Sequence, residues 1–120
     1  MIIAANILIG IVAALHVYFL VLEMFLWTKP LGLKTFRQSQ QKADDSAVLA
    51  ANQGLYNGFL AAGLIWGLTH PVAGTGFQIK VFFLLCVVVA GLYGGYSVSA
   101  RIILIQAVPA ALALVLLWIG

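Results

Sequence analysis

Four apolar runs, at residues 2–27, 47–69, 78–97 and 100–119, leave a 120-residue chain almost no choice of architecture. Each is about twenty residues long or more. At ~1.5 Å of rise per residue, a helix of that length covers the ~30 Å hydrocarbon core of a bilayer. The chain is 64% hydrophobic and only 8% charged, whereas soluble domains carry about 25% charged residues. The expectation is therefore an all-α, integral membrane four-helix bundle in a single domain. Its connections are short enough to make sequential helices antiparallel, in up-and-down order.

Local signals divide the runs. Pro30 and Gly32 follow the first, and Asp44, Asp45 and Ser46 offer caps and negative charge at the start of the second. Thr69, His70 and Pro71 close the second, and Gly74, Thr75 and Gly76 read as the turn into the third. Ser99 is a cap for the fourth. The first run has no basic n-region and exceeds a leader's usual apolar length, so it reads as a span and not as a cleaved signal. Neither terminus carries a lipidation motif.

Lys29, Lys34, Arg37 and Lys42 lie in the first connection and Arg101 in the third, against Lys80 alone on the other side. The positive-inside rule then puts the loop at residues 28–46 in the cytoplasm and both termini outside. Leu31, Leu33 and Phe36 alternate with Lys34 and Arg37 there, a pattern suited to lying along headgroups. The six basic residues form no stripe, so the net charge of +3 points to membrane orientation and not to nucleic acid.

Within the apolar runs, a few polar residues stand out. His16 and Glu23 share one helical stripe with Ile9, Val12, Ala13, Leu20 and Trp27. A carboxylate at that depth costs roughly 2.5–3.5 kcal/mol on insertion scales, so it should face protein or water. Counting from the cytoplasmic ends predicts a two-rung ladder between the first two helices: Glu23 with Asn52 and Gln53, and His16 with Asn57. Tyr56 lies in the same arc, and Gln106 sits at a similar depth on the fourth helix. The outer half is apolar on every helix, which argues against a continuous aqueous pore and for a polar pocket opening inward.

Ala50, Gly54, Gly58 and Ala62 form a small-residue series, and Gly91 with Gly95 a second. Such series permit close helix approach, so a homo-oligomer through the Gly54/Gly58 or Gly91/Gly95 faces is expected beside the lipid bilayer and a small-molecule ligand. Cys86 lies alone in an apolar run and reads as a small buried hydrophobe. His70, next to a proline in an outer loop, reads as incidental.

Two blocks carry a family resemblance. One contains His16, Tyr18, Leu22, Glu23, Met24, Phe25, Trp27, Pro30 and Gly32. The other runs Asn52-Gln53-Gly54-Leu55-Tyr56-Asn57-Gly58. Together they resemble the small bacterial membrane family catalogued as domain of unknown function 1304, over essentially the whole chain. The resemblance implies a multi-pass, four-helix protein of the bacterial inner membrane and supplies no activity.

Three functions compete on the residues. A ligand-binding or proton-coupled transport role uses Glu23, His16 and the amides as the site, and this is the preferred expectation. A membrane enzyme acting on a lipophilic substrate would use Glu23 and His16 as acid and base. It lacks a nucleophile motif, a cofactor fingerprint or a third metal ligand, so neither cofactor nor metal is expected. A structural or regulatory subunit would instead use the glycine faces.

Overall fold

Apolar residues at positions 5, 9, 12 and 13 recur at helical spacing with His16, and the computed structural model, which describes residues 2–120, shows them as the buried stripe of its first helix. That helix, α1, spans Ile2–Met24. It is followed by α2 (Pro30–Phe36), α3 (Gln40–Thr69), α4 (Ala73–Ser97), a π-helical turn (Ile103–Ala107) and α5 (Val108–Ile119). The fold is all-α, with no strand among the described residues.

Four boundaries differ from those expected, for a shared reason. Apolarity marks where a helix suits lipid, not where its hydrogen bonds begin. The polar loop expected at residues 28–46 instead holds α2 and the first turns of α3. Pro30 opens α2 at its first position, where the missing N–H is harmless. Arg37 closes it in a left-handed conformation (φ 51°), with the Gln38 N–H reaching Leu33 O at 3.1 Å. Asp44, Asp45 and Ser46 are not caps. Ser39 is, its Oγ accepting the Lys42 N–H at 3.2 Å. Gln40 and Gln41 donate to Asp44 and Asp45 at 2.9 Å each, bracing the helix start across one turn.

Likewise, α1 stops at Met24 rather than continuing to Trp27, and α4 starts at Ala73, so Gly74–Gly76 are helical rather than a turn. Gly76 approaches the Gly67 carbonyl so closely that a Cβ there would lie 3.0 Å from its oxygen. The fourth apolar run is not a uniform α-helix. Val108 N–H donates to Ile103 O, five residues back, which widens the turn just before Pro109. Pro109 supplies no N–H to the ladder and its ring crowds the carbonyl one turn earlier, and a π turn accommodates both.

The chain divides into two compact units. Unit 1 comprises the residues up to Ala14 with Leu60–Gly120; unit 2 is Leu15–Phe59. Unit 1 holds an apolar core of Ile9, Val12, Leu64, Leu84, Val87 and Leu117, with Ala5, Ala110 and Ala113 letting the helices close on one another. Outside it, large hydrophobes such as Ile3, Phe82, Val89 and Trp118 are exposed.

Two helices, α1 and α4, are long and apolar enough to cross a membrane, and only 28% of each apolar window is buried in the chain. α3 has the length, with 30 residues, but Asn52, Gln53, Asn57 and its polar start dilute its apolarity. The apolar stretch Ile103–Ile119 is shorter.

Candidate functional site

Unit 2 is built on close backbone approach. A Cβ at Gly54 would lie 2.7 Å from Met24 Cγ, 3.1 Å from Glu23 Cβ and 3.2 Å from Leu20 O. One at Gly58 would lie 2.7 Å from Leu20 Cδ1. These glycines seat α3 directly on the last turns of α1. Asn57, between them in sequence and buried, is thereby brought to Glu23, and its Nδ2 donates to Glu23 Oε1. Glu23 itself is half-buried. Among the described residues it forms no salt bridge, so its one side-chain partner is neutral.

His16 lies two turns earlier on the same stripe of α1, about 10 Å away by helical rise. It is 1% exposed, and its ring meets Phe19 edge-on with centroids 5.4 Å apart. The expected ladder is therefore corrected by about one turn: Glu23 meets Asn57 and not Asn52 or Gln53. A depth measured from Trp27 assumes that α1 continues that far. The helix ends at Met24, so Trp27 adds no length along its axis.

Asn52, Gln53 and Tyr56 are all exposed, on a different face of α3 from Gly54 and Gly58. Gln106 is half-buried on the π turn, in unit 1. The structure thus joins two of the seven candidate residues, Glu23 and Asn57, and places His16 on the same helix face. Two shallow apolar concavities lie in unit 1, one over Phe82, Cys86 and Tyr93 on α4 and one over Val81, Leu114 and Trp118. Neither includes Glu23, Asn57 or His16, so the inward polar pocket is not among them. Among the described residues no three His, Cys, Asp or Glu side chains converge on a metal position.

The glycine faces are occupied within the chain. Besides the contacts of Gly54 and Gly58, a Cβ at Gly91 would lie 2.6 Å from Ala107 N, and one at Gly95 2.0 Å from Ile103 Cγ1. Ala62, expected in the first series, is exposed. Cys86 is half-buried. His70 accepts the Val72 N–H at 3.0 Å, which tightens the turn after α3.

Two polar features escaped the sequence reading. Lys80 donates to Asn6 Oδ1 at 2.9 Å, and Gly67 makes room for the lysine stem, with a Cβ there 2.8 Å from Lys80 Cγ. An asparagine and a lysine, each isolated in an apolar run, are the signal the sequence offers for this bond. The second feature is a clasp after α1. Trp27 Nε1 donates to Ser46 Oγ at 3.1 Å, Ser46 Oγ donates to Lys42 O at 2.7 Å, and the indole packs on Phe36 with centroids 4.7 Å apart. Gly32 is obligatory there, since a Cβ would sit 2.0 Å from Leu26 O.

An all-helical chain with two apolar helices long enough to span a membrane, and an isolated carboxylate–amide pair between helices, defines a class and not a chemistry. The family model described as "Protein of unknown function (DUF1304)" matches residues 10–118, and the chain belongs to that family. It is similar to the uncharacterized protein YpaA of Lactococcus lactis subsp. lactis (strain IL1403), 32% identical over 113 residues that cover 92% of this chain and 93% of that protein. No solved structure matches.

Proposed function

We propose that this is a multi-pass protein of the bacterial inner membrane, with four spans, both termini outside, and a ligand- or proton-binding site at Glu23. The spans would be α1, α3 from about residue 47, α4 and the helix through residue 119. Large exposed hydrophobes on all four helices, among them Ile7, Phe59, Leu85 and Val115, support that embedding. The basic residues of the segment between α1 and α3 support its orientation.

The observation that carries the functional reading is the Glu23–Asn57 pair. An amide can donate a hydrogen bond to a carboxylate but cannot neutralise it. A structural polar contact between helices needs only two amides, whereas a carboxylate held by a neutral partner keeps a place for a cation. The cation is a proton or a positively charged, partly apolar small molecule, and exchange between the two is the elementary step of proton-coupled transport.

The test uses purified protein in weakly buffered detergent, titrated with tetraphenylphosphonium as the probe cation. Wild type should release protons on binding, and Glu23→Gln should bind weakly and release none. Equal binding and equal proton counts for the two proteins would remove Glu23 from the site. Embedding is tested separately in a Cys86→Ser chain. In intact cells Thr75→Cys should react with an impermeant maleimide and Gln41→Cys should not; the reverse pattern would invert the topology.

A further inference from the structure

One face of α3 is left over after the chain has packed. Leu49, Asn52, Gln53 and Tyr56 fall within an arc of about 100° at 100° per residue, and all four are exposed. The Gly54 and Gly58 contacts lie on the other side of the helix, and the buried Asn57, one turn on from Gln53, borders the face. Among the described residues, Asn52 and Gln53 have no hydrogen-bond partner. Their surroundings are apolar: Val48 is 79% exposed, Leu49 72% and Phe59 55%. Two adjacent unpaired amides in such a surface are costly in lipid, where no water replaces the missing bonds.

We propose that this face joins two copies of the chain in the membrane, through Asn52 and Gln53 with Leu49 and Tyr56 packed around them. A carboxamide is donor and acceptor at once, so identical amides satisfy each other across a two-fold axis. Copies inserted in the same sense place equal residues at equal depth, so Asn52 and Gln53 of one protomer meet the same pair on its partner. The glycine faces are unavailable, being packed within the chain. The interface ends toward Gln40 at Asp45, which lies on the same stripe but is bonded to Gln41 in the polar part of the helix. There the two like charges are screened by water and salt. The inference uses only the embedding of α3 and is independent of any ligand at Glu23.

The experiment uses the full chain in native membranes, with Cys86→Ser to remove the natural thiol. Leu49→Cys, which leaves both amides in place, should give a disulfide-linked dimer on mild oxidation. Leu85→Cys, exposed on α4, should stay monomeric. In detergent micelles, the double variant Asn52→Leu with Gln53→Leu should dimerise roughly tenfold more weakly, as expected for losing two or more interhelical amide bonds. Asn52→Gln, which keeps the carboxamide, should dimerise like wild type. Both positions are exposed, so the monomer fold should be unaffected. Equal cross-linking at positions 49 and 85, none at 49, or unchanged association of the double variant would each overturn the proposal.

Discussion

Unit 1 and unit 2 draw on the same two helices, α1 and α3, yet they are held together differently. In unit 1 a cluster of branched aliphatics, Leu64, Leu84 and Leu117 with Ile9 and Val12, fills a core among alanines and close glycine contacts such as Gly91 on Ala107. In unit 2 the interface of α1 with α3 consists of glycines and a polar pair, with Leu20 and Met24 as the apolar contacts. Each unit contains a hydrogen bond between a charged and an amide side chain on different helices, Lys80 to Asn6 in the first and Glu23 to Asn57 in the second. Only the first sits beside a volume-filled core. Aliphatic packing tolerates exchange of shape if volume is kept. Glycine contacts and a lone directed hydrogen bond have no such reserve, and that is where a site can be held at a defined position.

The difference is most directly broken by removing volume from unit 1. Leu84→Ala should cost about 2–5 kcal/mol, read from thermal or denaturant unfolding in detergent. A cost under ~1 kcal/mol would mean that the aliphatic cluster is not what holds unit 1. Next comes Asn57→Ala, which strips Glu23 of its partner and should cost about 1.5–3 kcal/mol. Hydrogen exchange should show the loss of protection concentrated at residues 15–59; protection lost equally in α4 would mean that the two units open as one. The smallest change is Glu23→Gln, within ~1 kcal/mol of wild type or slightly stabilising, because the amide keeps a bond to Asn57 without a charge in an apolar setting. Unfolding of Glu23→Gln alongside a stable Glu23→Asp would show that the ion itself holds α1 on α3.

These expectations also mark what the sequence could reveal. The buried stripe of α1 was legible through His16, because 3–4 spacing survives whatever the surroundings are. The end of α3 at Thr69 was legible through Pro71 and that of α4 at Ser97 through the capping Ser99. The pairing of Glu23 was not. Its partner depends on where α1 stops, and no local signal separates Met24 from Phe25 as a last helical residue. Asn57 and Asn52 are chemically alike and five residues apart, so composition cannot choose between them; the glycines on either side of Asn57 do, by admitting Leu20 and Met24. The π turn was hidden for a related reason. Pro109 advertises a disturbance, but a kink, a break and a widened turn satisfy it equally well.

The two units also differ in how they lie along the chain. Unit 2 is one unbroken stretch, Leu15–Phe59, whereas unit 1 takes its first strip of helix from the N-terminus and the rest from residues 60–120. During synthesis, every partner that unit 2 needs leaves the ribosome before most of unit 1 does. The Trp27 clasp, spanning 19 residues, and the Glu23–Asn57 bond, spanning 34, then close early. The Lys80–Asn6 bond, spanning 74, closes late. Until α4 and α5 arrive, the aliphatic core around Ile9 has Leu64 of α3 but lacks Leu84, Val87 and Leu117. The N-terminal helix thus meets the second half of its own core only after the middle of the chain has been made.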